Sequence, residues 1–281
     1  MNSLHGKVAA VLGASAEAGT GWAIAEALAS AGAKVVVAAR SEAPLKKLAA
    51  KIDGAYTVCD AGNEVQIEAF LQTAVDRFGE LDIAVNAAGL PVLGLIGDSD
   101  SNRLQAAIDV NYLANVHFVK HAAERIGMDG SIVIVSSLST THPIVPNFAY
   151  ACAKAASDCL VRYAALEYGP RNIRINSIQP GAIVSDLSRE LFSSSEVTKL
   201  FEKEVPLGRL GCPSDFANAV LWLAGPAYVT GLNLPVCGGA QLTRFPYLSE
   251  MPGAGSAWEG TGQNLFDRER ADRATKGLKS G

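Results

Sequence analysis

Residues Ser131–Lys154 read SIVIVSSLSTTHPIVPNFAYACAK, and their pattern decides the fold. The apolar run Ile132–Val135 is a buried strand that ends in two serines, crosses a polar loop containing proline, and enters a helix near Tyr150. Ser137 stands at the strand's carboxyl end, while Tyr150 and Lys154 are four apart and share one helix face. A phenol with a pKa of about 10 is a poor acid–base catalyst, but an ammonium one turn away favours the phenolate and lowers that value. Proton transfer to or from a carbonyl or alcohol oxygen near neutral pH requires such tuning, and the serine hydroxyl can hold the same oxygen. Of the seven tyrosines, Tyr150 alone has a lysine four residues later. The plainer alternative is an aromatic and a solvated charge on an amphipathic helix, so the rest of the chain has to decide.

With 281 residues, 49% hydrophobic and 19% charged, the chain is long enough for one large α/β domain with a substantial core. A net charge of −4 gives no general attraction to nucleic acid or to an anionic membrane, so neither is an expected partner. No apolar run approaches the roughly 20 residues of a membrane span. The start, MNSLHGKVAAVLG, lacks the layout of a signal peptide, and a cytoplasmic location is expected. Cys59, Cys152, Cys159, Cys212 and Cys237 are scattered and without CxxC spacing, so they read as small buried apolar residues rather than metal ligands. Cys152, between Tyr150 and Lys154, borders the site.

Strand and helix patterns alternate along the chain. Lys7–Leu12 is a strand, Gly21–Ala31 a helix, and between them lies the glycine-rich turn Gly13-Ala-Ser15-Ala-Glu-Ala-Gly19-Thr-Gly21. Such glycines let the backbone approach a pyrophosphate, whose charge meets the helix amides; a tight turn without a ligand is the other reading. The next strand, Lys34–Ala39, ends without the acidic residue that would hold ribose hydroxyls. Arg40 and Ser41 follow, and a cation there pairs with a 2′-phosphate, so NADP(H) is favoured. NAD(H) stays open if Arg40 only stacks on adenine or faces solvent.

Helix Ala43–Lys51, strand Ala55–Cys59, helix Glu64–Phe78 and strand Leu81–Val85 come next. Asp60 is placed either to accept from the adenine amino group or to cap the following helix. In Asn86-Ala-Ala88-Gly89 the small residues suit a flat cofactor, and the Asn can tie neighbouring strands. A long helix, Asn102–Arg125, carries Asn111, expected to face solvent or bond locally. After the helix of Tyr150 ends near Tyr168 come strand Ile173–Ile178, Pro180-Gly181, a candidate lid over residues 182–206, helix Pro213–Leu223 and strand Leu232–Val236. The lid's apolar side holds Ser185, Leu187, Leu191, Phe192 and Phe201. This alternation predicts a single α/β domain, doubly wound, over residues 1–242. A Gly-, Ser- and charge-rich extension, 243–281, follows, with apolar points at Pro246, Tyr247, Met251, Trp258, Leu265 and Phe266 that should pack as cover for the site or as an arm onto a neighbouring subunit.

Over about residues 5–240 the chain resembles the short-chain dehydrogenase/reductase family. The glycine turn, Asn86-Ala-Ala-Gly89, Asn111, Ser137, Tyr150-x-x-x-Lys154, Pro180-Gly181, Thr230-Gly231 and Gly238-Gly239 match in order and position. The resemblance implies a Rossmann-type fold with a mostly parallel seven-stranded sheet flanked by helices. It also implies Tyr150 as acid–base catalyst, Ser137 as the group polarising the substrate oxygen, and Lys154 as holder of the nicotinamide ribose. Asn111 would anchor a water in a proton relay. Cofactor contacts carry over to Gly13, Ser15, Gly19, Gly21, Arg40, Ser41, Asp60, Ala61, Asn86, Ala88, Gly89, Tyr150, Lys154, Pro180, Gly181 and Ile183. The chain departs from the family where five residues, not three, separate Gly13 from Gly19, where Glu17 stands near the phosphate position, where Ala18 replaces a basic residue, and where Cys237 replaces an Asp.

The expected activity is hydride transfer between NADP(H) and a hydrophobic or aromatic ketone or secondary alcohol, since the named pocket walls, 90–96, 138–145 and 184–192, are mostly apolar. A 3-oxoacyl thioester reductase, with Arg125 and Arg171 meeting an acidic carrier, is the nearest alternative. A dinucleotide sensor without turnover is opposed by the intact Asn-Ser-Tyr-Lys set. Enoyl reductases of this kind space Tyr and Lys more widely. Family members commonly form homotetramers or homodimers through the helices corresponding to those of Asn111 and Tyr150.

Overall fold

The computed structural model describes residues 4–185, 188–189, 191–247 and 250–251. Short runs rich in Val, Ile and Ala become the strands β1 (Val8–Leu12), β2 (Lys34–Ala39), β3 (Ala55–Val58), β4 (Ile83–Asn86), β5 (Ser131–Val135), β6 (Arg174–Pro180) and β7 (Asn233–Val236). They form one sheet in the order β3-β2-β1-β4-β5-β6-β7, and every pairing is parallel. A parallel sheet is covered on both faces, which is why β1 and β5 are buried at every position. Side chains alternate between the two layers. Val35, Val37, Val133 and Val135 meet Trp22, Leu28, Phe216 and Val220 on one face, whereas Val36, Ala38, Ile132 and Ile134 meet Phe70, Leu71, Phe118 and Val161 on the other.

The covering helices are α1 (Thr20–Ser30), α2 (Glu42–Lys51), α3 (Glu64–Phe78), α4 (Ser101–Ile108), α5 (Ala114–Arg125), α6 (Phe148–Tyr168), α7 (Ser195–Lys203) and α8 (Pro213–Ala224). The helix expected over 102–125 is therefore not continuous: a π turn, Asp109–Leu113, separates α4 from α5 and carries Asn111. From β1 the chain steps outward to β3 and then returns to the other side of β1 for β4. That switch opens a crevice beyond the carboxyl ends of β1 and β4.

The segment after β7 is fastened to α7. Val197, Phe201 and Leu210 pack with Ile144, Phe192, Phe245 and Met251, and the Phe192 and Phe201 rings meet edge-on at 5.1 Å. Arg244 bonds Glu250 with both terminal nitrogens, reaches Glu204 at 3.3 Å and lies over the Tyr247 ring. Leu187, Trp258, Leu265 and Phe266 lie outside the described residues. Of the cysteines, Cys59 is buried as expected, but Cys152, Cys159 and Cys212 are exposed and Cys237 is half-buried. Apolar neighbours in sequence did not make them core, because the helix positions of Cys152 and Cys159 turn away from the sheet. Burial pushes the Cys59 thiol up to about 12. Among the described residues no helix is long and apolar enough to cross a membrane.

Candidate active site

The glycine turn and the loop after β4 touch at the crevice. Gly13 has φ +90°, and a Cβ there would lie 2.5 Å from the Ala88 nitrogen, so both its backbone and its neighbour demand glycine. A Cβ on Gly21 would lie 2.3 Å from the Gly13 carbonyl, which seats the first turn of α1 directly against the end of β1. Helix α1 opens at Gly19 with no side-chain cap and no acidic residue in its first turn. Its leading amides are left to an anion, and this fits the diphosphate of a nicotinamide dinucleotide. Ser15 is half-buried within the turn. The Glu17 carboxylate is drawn aside: Lys47 of α2 donates to its two oxygens at 2.7 and 2.8 Å.

Arg40 is exposed at the end of β2 and has no ion-pair partner among the described residues. Beside it Ser41 begins α2 without using its hydroxyl as a cap. Asp60 does not cap α3. Its Oδ1 accepts from the Gly62 amide at 3.0 Å, and Asn63 makes the cap by accepting from Gln66. Ala61 is buried next to it.

Asn86 is buried and ties its strand to a helix rather than to another strand. Its Nδ2 donates to Asn115 Oδ1 on α5 at 2.8 Å, and its Oδ1 accepts from the Ala88 amide at 3.0 Å. Asn111 is fully buried, so of the two expectations, facing solvent or bonding locally, the second holds. Its amide clasps the chain beside Gly89 by donating to the Leu90 carbonyl at 2.9 Å and accepting from the Leu90 nitrogen at 3.0 Å, besides a local bond to Ala107. The π turn also leaves the Asn111 carbonyl free for Ser157 Oγ at 2.7 Å and Asn115 Nδ2 at 3.0 Å.

Ser137 lies just past β5, its hydroxyl 2.9 Å from Ser139 Oγ and near enough to the Tyr150 phenol to favour the phenolate. Lys154 is buried, and its Nζ donates to the carbonyls of Val135 at 2.8 Å and Ala88 at 3.3 Å, 5.8 Å from the Tyr150 ring centre. These bonds tie α6 to the ends of β5 and β4 and gather Ser137, Tyr150 and Lys154 at one mouth. The direction expected for the phenol is reversed. Burial pushes Tyr150 up to about 12, outweighing the lowering by the Ser137 hydroxyl, with the negative charge of Asp158 adding to the rise. Burial also draws Lys154 down to about 8, and Asp158 opposes that fall. A lysine whose protons are taken by backbone carbonyls does not outweigh the loss of water around the phenol.

Beyond β6, the Gly181 amide donates to Val236, and Cys237, standing in place of the family's Asp, fills the space a Gly181 Cβ would need. Pro180 is half-buried, and Ile183 bridges to Gly211. The apolar walls are partly open to solvent at Leu93, Ile96, Val145, Val184 and Leu191. Arg125 and Arg171 are not free. Arg125 bonds Gln72, Glu68 and the His121 carbonyl, and Arg171 bonds the carbonyls of Ala123, Ile126 and Gly127. Sequence reasoning missed Asp158, Gln179 and Thr140, a buried polar chain behind Ser137 and Lys154. The one signal was an acidic residue four after Lys154, on the same helix face.

A family model described as Enoyl-(Acyl carrier protein) reductase matches residues 13–241. The short chain dehydrogenase/reductase astE of Aspergillus oryzae is 34% identical over 254 residues, covering 85% of this chain and 97% of that protein. Among solved structures, a short-chain type dehydrogenase/reductase from Mycobacterium ulcerans has a TM-score of 0.84 at 31% identity, covering 88% of this chain and 94% of its own. An actinorhodin polyketide ketoreductase with NADPH has a TM-score of 0.79 at 28% identity, covering 86% and 99%.

Proposed function

Because the chain belongs to the short-chain dehydrogenase/reductase family of NAD(P)-dependent oxidoreductases acting on CH–OH groups, we propose that it interconverts a hydrophobic or aromatic ketone and its secondary alcohol, with NADP(H) favoured. The observation that carries this reading is the buried Lys154, bonded to the carbonyls of Val135 and Ala88 and 5.8 Å from the Tyr150 ring centre, beside Ser137 at the carboxyl edge of the sheet. Gly13, Ser15, Gly19 and Gly21 would hold the diphosphate, Arg40 and Ser41 the 2′-phosphate, and Asp60 and Ala61 the adenine. Asn86, Ala88, Gly89, Pro180, Gly181 and Ile183 would line the nicotinamide half, with Lys154 on its ribose. When bound, the nicotinamide supplies or accepts the hydride.

Ser137 and Tyr150 hold the substrate oxygen with two oriented hydroxyls, and Tyr150 gives it a proton during reduction. The ammonium of Lys154 offsets the charge left on the phenolate. Asn111 is the proposed anchor of a water that returns protons to Lys154. The exposed apolar rim supports a hydrophobic substrate, and the lid of residues 182–206, whose Phe192, Val197 and Phe201 pack with Phe245, would close over it. A Tyr–Lys spacing of four supports carbonyl over enoyl chemistry. The internal bonds of Arg125 and Arg171 weigh against the acidic-carrier alternative. Exposed Ile108, Tyr163 and Leu166 on α4 and α6 support assembly into a dimer or tetramer through those helices.

The test is a panel of aromatic and aliphatic ketones reduced with NADPH or NADH by wild type and Tyr150→Phe. The variant should lose about 10²- to 10⁴-fold in rate, and full activity in it overturns the mechanism. In a fluorescence titration NADPH should bind more tightly than NADH, with Arg40→Ala removing the preference. Equal binding of the two cofactors by wild type overturns the NADP(H) assignment.

A further inference from the structure

Asp158 is 5% exposed, and no step above uses it. It follows Lys154 by one helical turn on the same face of α6, and Lys154 is itself 2% exposed. Neither of the two has another charged partner among the described residues: Lys154 is bonded by carbonyls, and the carboxylate of Asp158 by neutral donors. Ser177 Oγ lies 3.0 Å from its Oδ1, and Gln179 Nε2 donates to its Oδ2 at 2.7 Å, both from β6. Gln179 also donates to Thr140 Oγ1 at 2.9 Å, and Thr140 in turn donates to the Ser137 carbonyl at 2.9 Å. From β7, Asn233 donates to the Asp158 backbone carbonyl at 3.2 Å. The carboxylate is therefore fixed on every side and stitched to the turn that carries Ser137.

A carboxylate is costly to bury without a cation, and the cation within reach is Lys154. Conversely, an ammonium taken out of water loses its proton more readily than an exposed one, and a fixed negative charge one turn away opposes that loss. The groups facing the pair are Tyr150 on α6, Ser177 and Gln179 on β6, Asn233 on β7, Thr140 after β5, and Asn111 and Asn115 from the π turn and α5. Only Tyr150 among them titrates, and Asp158 is the one charge acting on either Tyr150 or Lys154.

We propose that Asp158 is a positioning residue whose buried carboxylate keeps Lys154 in its charged form and so sets the pH range over which the Tyr150–Lys154 pair works. The proposal deepens the acid–base reading and rests on it for its catalytic consequence, while its electrostatic core can be read without turnover. The decisive experiment is a ¹³C NMR titration of labelled lysine side chains in full-length protein, with the Lys154 Cε signal assigned by its loss in Lys154→Arg. In Asp158→Asn, which keeps the shape and an acceptor for Ser177, the Lys154 midpoint should fall by about half a unit or more. Asp158→Ser, smaller and equally uncharged, should show the same fall and serves if the amide variant does not fold. Midpoints that coincide with wild type in either folded variant overturn the proposal. In kinetics, removal of the negative charge should move the alkaline limb of kcat/KM for ketone reduction to lower pH, whereas a merely structural loss would lower the rate with the limb unmoved and overturn it. If Tyr150→Phe proves fully active, the acid–base reading falls on that result, and the Lys154 titration still decides the role of Asp158.

Discussion

The sheet carries a lysine and an aspartate at each of its two edges, and the pairs are built in opposite ways. At the amino edge, Lys7 reaches Asp82 at 2.6 Å with half of its side chain in water. Asp82 also accepts from the Val8 amide at 2.8 Å, which locks the start of β1 to the start of β4. At the carboxyl edge, Lys154 and Asp158 are both buried, do not bond each other, and draw their hydrogen bonds from carbonyls, hydroxyls and amides. Contact with Asp82 holds Lys7 above the ordinary lysine value, while burial holds Lys154 below it. The same two residue types thus serve as a clasp where water is present and as a tuned charge where it is excluded.

The sharpest way to break this contrast is Lys154→Met. Ketone reduction should fall by about 10²-fold or more, since both the charge and the link between β4, β5 and α6 are lost. A variant within a few-fold of wild type would make Lys154 no different in kind from Lys7. Stability should respond to pH in the opposite sense at the two edges. Between about 8 and the ordinary lysine value of 10.5 the unfolded chain binds more protons at position 154 than the folded one. Wild type should therefore gain stability relative to Lys154→Met as pH rises across that window, by an amount of the order of 3 kcal/mol in denaturant unfolding. Lys7, with its raised value, contributes stability that is present below the ordinary lysine value and lost as pH rises through the folded one.

Asp82→Asn should lower stability at neutral pH by about 1–3 kcal/mol, because two charge-assisted bonds weaken in a buried place, yet leave kcat per folded molecule unchanged. A drop in kcat would carry function to the amino edge and blur the distinction. Smallest is Lys7→Met, expected to cost about 1 kcal/mol or less, as for any pair with one partner in solvent.

The same contrast marks what was legible in the sequence. Strands and helices could be read because each depends on local pattern: the runs that became β1, β2 and β5 and the helices on either side were placed within a few residues. Ser137, Tyr150 and Lys154 could be read because fixed spacing on one helix and one strand end brings them together. The supports could not. Asn115 reaches Asn86 across 29 residues and Ser157 across 42, and nothing local to any of them announces the meeting. The π turn was hidden too, and the partner that Asn111 holds there, Leu90, lies 21 residues away in the chain. Asp60 lost the cap to Asn63 through a choice between two adjacent acceptors, which composition does not decide. The phenol's upward shift came from burial, a property of the assembled site that spacing alone does not reveal.

The strand order has a consequence for how the molecule comes into being. In β3-β2-β1-β4-β5-β6-β7 each strand after β1 pairs with one that precedes it in the chain, and none is slipped between two strands already joined. A ribosome delivers the chain from its amino end, so every strand emerges to find its neighbour already made and the growing sheet need never be unzipped to admit it. Until β7 arrives, β6 is the raw edge, and Asp158 sits behind it without Asn233. The backbone of Asp158, one helical turn from Lys154, thus receives its bond from Asn233 only with the last strand to be synthesised.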